Sequence, residues 1–157
     1  MKGSLVFERI SSPIGFLYVV FSGKHLVKLA LEKPKGIKAG EVPGSFKEEL
    51  MAYFEGRSRE FHQEMVFLSG TDFEKKVWLT LKDVPYGQTR TYKWLSEKIG
   101  KPKAHRAVGQ ALSKNPISIV LPCHRIIDSD GHIGGYSSGI DIKRRLLELE
   151  YYYSEDI

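Results

Sequence analysis

Cys123 is the single cysteine in a chain of 157 residues, and it stands in the string Pro122-Cys123-His124-Arg125 behind the apolar run Ile117 to Leu121. A free cysteine flanked by Ile and Leu is most often an inert core residue. Its neighbours point elsewhere: His124 and Arg125 put one titratable and one permanent positive charge beside the sulfur, which lowers a thiol pKa and makes a nucleophile. The run 117 to 121 reads as a strand, or the end of one, delivering the thiol from the interior. Adjacent strand residues face opposite ways, so proton transfer from Cys123 to His124 needs a bridging water or a chain turn. His124 also needs an orienting acceptor, for which Glu148 and Glu150 are candidates. Either glutamate can equally be a solvated helix end.

Downstream, Gly131 to Gly139 is a glycine-dense loop carrying Tyr136, Ser137 and Ser138. Such loops are usually connectors, yet one that follows a nucleophile can bring backbone donors close to a ligand. No Walker pattern or dinucleotide fingerprint occurs. One cysteine excludes an intramolecular disulfide and any zinc site built on two thiolates, and the five histidines lack close ligand spacing. No metal is expected.

The stretch that leads up to this chemistry is basic. Of 24 Lys and Arg against 19 Asp and Glu, eight basic residues fall between 88 and 125, opposed by Glu97 alone. A block of this kind is either a solvated face or the footprint of a polyanion binder. The same stretch reads as a helix over Tyr92 to Ile99, a stop at Gly100-Lys101-Pro102 and a helix over Ala104 to Lys114. Trp94, Leu95, Val108, Ala111 and Leu112 form its apolar seam, and Ala107 and Gly109 keep the second helix slim. Upstream, Thr71 and Glu74 make a capping box before Val77, Trp78 and Leu81.

The first third reads as an antiparallel meander, with strands at Leu5 to Ile10, Ile14 to Ser22 and His25 to Leu31. Lys33 to Gly44 reads as a mobile, functionally idle loop. Ser45 and Glu48 suggest a capping box for a helix with Phe46, Leu50, Tyr53 and Phe54 on one face, closed by Gly56, and Gln63 to Phe67 suggests a further strand. The expected fold is α/β of the α+β kind. A sheet domain with a helix spans 1–70, and a mainly helical domain with the helix-turn-helix and the cysteine spans 71–157, with the boundary between Leu68 and Thr71.

Pro122-Cys123-His124-Arg125, preceded by Arg106-Ala107-Val108-Gly109 and Asn115-Pro116 and followed by Gly134-Gly135-Tyr136, closely resembles the O6-alkylguanine-DNA alkyltransferases, the methylated-DNA–protein-cysteine methyltransferases. The resemblance runs almost continuously from Phe73 to Glu150, whereas residues 1–70 share only length and strand pattern with the family's variable domain. It implies a DNA repair protein that binds the minor groove of a duplex carrying O6-alkylguanine, flips the damaged base and moves the alkyl group irreversibly to its own cysteine. Carried over by position, Cys123 is the acceptor, His124 the base acting through a water, and Glu150 its orienting carboxylate. Asn115 braces the turn, and Tyr92 donates to the departing guanine. Arg106 enters the base stack, with Ala107, Gly109, Thr91, Lys103 and Arg125 on the DNA-facing surface. Tyr136, Ser137, Ser138, Lys143 and Pro122 form the pocket.

Taken singly, Tyr92 reads as packing, Arg106 as a phosphate contact and Asn115 as a helix cap. The resemblance implies a monomer with no cofactor, spent after one transfer because a thioether is not readily reversed. Ser138 stands where glycine is common in some relatives, which bears on bulky adducts, and the tail after Glu150 lies beyond the match. Competing readings are a lesion binder without chemistry, which the presence of Cys123 opposes, a helix-turn-helix regulator and a cysteine hydrolase. The longest apolar run, Phe16 to Phe21, is too short to span a bilayer, and Glu8 and Arg9 interrupt any secretory signal, so a cytoplasmic address is expected, or a nuclear one in a eukaryote.

Overall fold

The computed structural model describes residues 4–155, which divide into two compact units, the chain passing from one to the other between Leu68 and Ser69. In the first unit, β1 (Leu5–Ser12), β2 (Gly15–Ser22) and β3 (His25–Ala30) make the antiparallel meander, with Phe7 opposite Val20 and Phe21 opposite Leu26. Leu17, Val19, Val20 and Phe21 on the central strand are buried, and the ring of Phe46 of α1 (Gly44–Phe54) packs tilted against that of Phe21, 5.6 Å between centroids. Gly56 ends α1 at φ 75°, and the bonds Gly56 N to Tyr53 O and Arg57 N to Ala52 O close a Schellman motif.

Three expectations for this unit are corrected. Residues Lys38–Ala39, inside the supposed loop, form β4, which lies parallel to β1 at the sheet edge. Gly40 permits that approach, because a side chain there would press on Val6, and Glu8 secures the exit by accepting Val42 N at 3.0 Å and pairing with Lys47. The helix begins one residue before Ser45, with Pro43 as its N-cap and no side-chain cap, so Ser45 falls inside the first turn and Glu48 pairs with Arg57 instead. Gln63 to Phe67 contributes a single parallel bridge, Leu26 to Met65, rather than a strand.

In the second unit the Thr71–Glu74 capping box is present in both directions and opens α2 (Asp72–Thr80), from which Trp78 donates its indole N–H to Ala111 O at 2.7 Å. A 3₁₀ turn, Leu81–Asp83, leads to β5 (Arg90–Thr91), α3 (Tyr92–Lys98) and α4 (His105–Ser113). Thr91 caps α3 by accepting Trp94 N. Gly100, at φ 81°, ends it, with Gly100 N on Glu97 O and Lys101 N on Ser96 O, a second Schellman closure that turns the chain into the helix-turn-helix. Leu95, Val108, Ala111 and Leu112 are buried in the seam. Ile126–Ile127 form β6, parallel to β5, and the chain closes with α5 (Ile140–Ser154). No helix among the described residues is long and apolar enough to cross a membrane.

Candidate active site

The run Ile117 to Leu121 is not a strand. Its side chains are buried, but its backbone folds into tight turns with Leu121 N on Ile117 O and Val120 N on Ser118 O, and Ile119 stands at φ 73°. A β-branched residue in the left-handed region is strained, so something outside the residue must hold it there. Asn115 does so, donating Nδ2 to Leu121 O at 2.8 Å and accepting Ile117 N at 3.0 Å. The polar side chain bridges both ends of the turn that delivers Cys123. Burial, not periodicity, made this segment apolar.

Cys123 opens a 3₁₀ turn, Cys123–Arg125, whose three-residue repeat sends successive side chains about 120° apart. His124 therefore points away from the sulfur into the interior, where Nε2 lies 2.7 Å from Glu150 Oε2. Glu150, not the exposed Glu148, is the orienting carboxylate. Burial works against its charge, but His124 and Arg125 overcome that and hold it well below the usual carboxylate range.

Two expectations about Arg125 are corrected here. It is buried, with Nε 2.8 Å from Glu150 Oε1, Nη2 3.0 Å from Oε2 and Nη1 2.7 Å from Val84 O, so it does not face DNA. Nor does it activate the thiol. Burial pushes the Cys123 thiol up, and the groups that oppose this are Asn115, Lys143 and Tyr136. The thiol at rest is neutral, and a base is needed to ionise it.

A cavity of about 310 Å³ opens beside the sulfur. Tyr92 of α3, Gly109, Leu112 and Ser113 of α4, Cys123, and Gly135 to Ser137 of the glycine loop line it. Tyr92 is raised in pKa by burial, then by Asp128 and Cys123, and Tyr136 well above its ordinary value by burial and Cys123, so both hydroxyls keep their protons. Three residues assigned to the pocket do not line it. Lys143 is fully buried behind the wall, donating Nζ to Ile126 O at 2.6 Å and Gly135 O at 3.0 Å, so it tethers the loop. Pro122 is buried in the turn, its carbonyl accepting Arg125 N, and Ser138 lies in the turn before α5. Leu112 and Ser113 escaped the sequence reading as pocket residues, and Gly135 stood there only as part of a motif, because an apolar seam residue, a helix-end serine and a loop glycine carry no signal of a cavity. Asp128, beside Gly134 and electrostatically near Tyr92 and Lys143, carried none either.

Most cations of the stretch 88–125 have no ion-pair partner among the described residues. Arg106, Ala107 and Lys103 are exposed, and of the eight basic residues between 88 and 125 only Lys114, with Glu74, and Arg125 form ion pairs with described residues. Thr91 is occupied as the α3 cap.

Comparison with known proteins agrees with this arrangement. Residues 72–152 match the sequence model of the 6-O-methylguanine DNA methyltransferase DNA binding domain, and residues 5–66 match that of its ribonuclease-like domain. The chain is similar to the methylated-DNA–protein-cysteine methyltransferase of Methanosarcina barkeri, 44% identical over 156 residues, covering 93% of this chain and 97% of that one. The protein of the same description from Mycobacterium bovis is 43% identical over 92% and 91% of the two chains. Among solved structures, Mycobacterium tuberculosis OGT in complex with DNA superposes with a TM-score of 0.90 at 39% identity, over 94% of each chain. The O6-methylguanine-DNA methyltransferase of Pyrococcus kodakaraensis superposes at 0.71 with 29% identity, over 93% and 98%.

Proposed function

Because this chain belongs to the 6-O-methylguanine DNA methyltransferase family, we propose that Cys123 accepts the alkyl group of an O6-alkylguanine flipped from duplex DNA into the cavity beside it. The activity is that of a methylated-DNA–protein-cysteine methyltransferase, a DNA repair activity. The observation that carries the reading is the placement of the chain's one cysteine on a cavity shared with Tyr92 and Ser137, directly ahead of a buried His124–Glu150–Arg125 cluster.

A stacked base hides its O6 substituent from any nucleophile fixed in a protein, so extrusion must come first. Arg106, exposed on α4, fills the vacated stack, while the small Ala107 and Gly109 let the helix enter the minor groove and unpaired cations such as Lys103 meet phosphates. In the pocket the Cys123 proton passes to His124 through a water. The thiolate then attacks the alkyl carbon in line, the S–C bond forms as the C–O6 bond breaks, and the electron pair left on guanine is met by the Tyr92 hydroxyl. Overall the thiol proton ends on guanine and the alkyl group on sulfur. Asn115 holds the turn, and Lys143 holds the loop bearing Tyr136 and Ser137 against the base. Residues 71–157 carry the reaction and residues 1–70 are structural. The protein works as a monomer without a cofactor, in the cytoplasm or, in a eukaryotic cell, the nucleus. A stoichiometric thioether predicts that lesions removed from excess duplex plateau at one per protein molecule. Removal continuing past that point in a turnover assay would contradict it.

A further inference from the structure

We propose that Arg125 is a positioning residue for this reaction: by gripping both oxygens of Glu150 it fixes His124 in the tautomer with its proton on Nε2 and a free lone pair on Nδ1. The inference rests on Cys123 being the alkyl acceptor.

The guanidinium engages the carboxylate as a fork, Nε on Oε1 at 2.8 Å and Nη2 on Oε2 at 3.0 Å, and its third edge is anchored by Nη1 on Val84 O at 2.7 Å. The Tyr86 ring lies 5.7 Å from the guanidinium carbon, and Gly87 N approaches Oε1 at 3.4 Å. Every group facing Oε1 and Oε2 in these contacts is therefore a donor. A carboxylate so surrounded accepts only, and an acceptor 2.7 Å from His124 Nε2 requires the imidazole proton to be there. Without the guanidinium charge, Glu150 can take up a proton from solvent and donate it to Nε2 instead. The imidazole would then carry its proton on Nδ1, where it cannot receive one from Cys123. His124 Nδ1 is buried and has no hydrogen-bond partner among the described residues. Burying a polar atom unpaired is costly, and here the cost falls on the one atom the thiol proton needs.

The test uses full-length ¹⁵N-labelled protein and long-range ¹H–¹⁵N correlation of the His124 ring, beside single-turnover transfer from a duplex containing O6-methylguanine. Wild type is expected to show the Nε2–H tautomer alone. Arg125→Met and Arg125→Gln are expected to show both tautomers and transfer at least about tenfold more slowly, with the Kd for duplex changed less than about twofold. Should Arg125→Met not fold, Arg125→Gln, which keeps a donor toward Glu150 but removes the charge, decides the comparison. An Nδ1–H tautomer in wild type, a wild-type tautomer pattern in a folded variant, or an undiminished rate would each overturn the proposal. Failure of wild type to transfer at all would instead overturn the reading of Cys123 as acceptor.

Discussion

Cys123 gains its reactivity from a base, since the turn gives the thiol no ready-made ionisation. Burial pushes its pKa up, so at neutral pH the sulfur is protonated and His124 must remove the proton during the reaction. Raising the pH populates the thiolate without that help. His124→Ala is accordingly expected to slow single-turnover transfer by at least about a hundredfold near neutral pH, with the deficit shrinking as the pH rises. A deficit of constant size across the pH series would show that His124 acts by holding the fold. The sequence displayed this chemistry in Cys123, His124 and Glu150, because residue type alone proposes a nucleophile, a base and an acceptor. It misplaced Arg125, because adjacency in the chain does not give direction in space. In a 3₁₀ turn the third residue points away from the first, and Arg125 was drawn to Glu150, 25 positions on, where its charge could be paired.

At the scale of elements, the site is held by a few backbone decisions. Gly100 stands at φ 81° with open space where a Cβ would sit, so Gly100→Ala isolates the cost of the left-handed cap from any steric clash. It is expected to cost about 1 kcal/mol, read as a lower Tm, while transfer from the free O6-methylguanine base is retained. Loss of both together would mean that the α3–α4 turn shapes the pocket as well as the DNA surface. Local signals were readable where local bonds decide. Thr71 and Glu74 cap α2 as their spacing indicates, and Gly56 and Gly100 close their helices. They failed where distant contacts decide. Pro43 took the cap from Ser45, the β1 edge recruited Lys38–Ala39, and Asn115 bent the apolar run at Ile117 into a turn that its composition disguised as a strand.

On the scale of the whole molecule, the net charge of +5 is shared by both units, but the stretch from 88 to 125 sets eight basic residues against Glu97 alone, and six of those cations lack an anionic partner among the described residues. Phosphate contacts of this kind make binding salt-dependent and indifferent to sequence. Lys103→Ala is expected to flatten the slope of log affinity against log salt by about one. Arg106→Ala is expected to slow transfer from duplex far more than transfer from the free base, whereas equal losses on both substrates would refute its entry into the stack. The central claim is tested most directly by intact-mass and peptide mass spectrometry after mixing the protein with excess duplex containing O6-methylguanine, beside a Cys123→Ser control. A single methyl increment on the Cys123 peptide is expected, with none in the control. An unmodified Cys123 in protein shown to be bound to that duplex would contradict it.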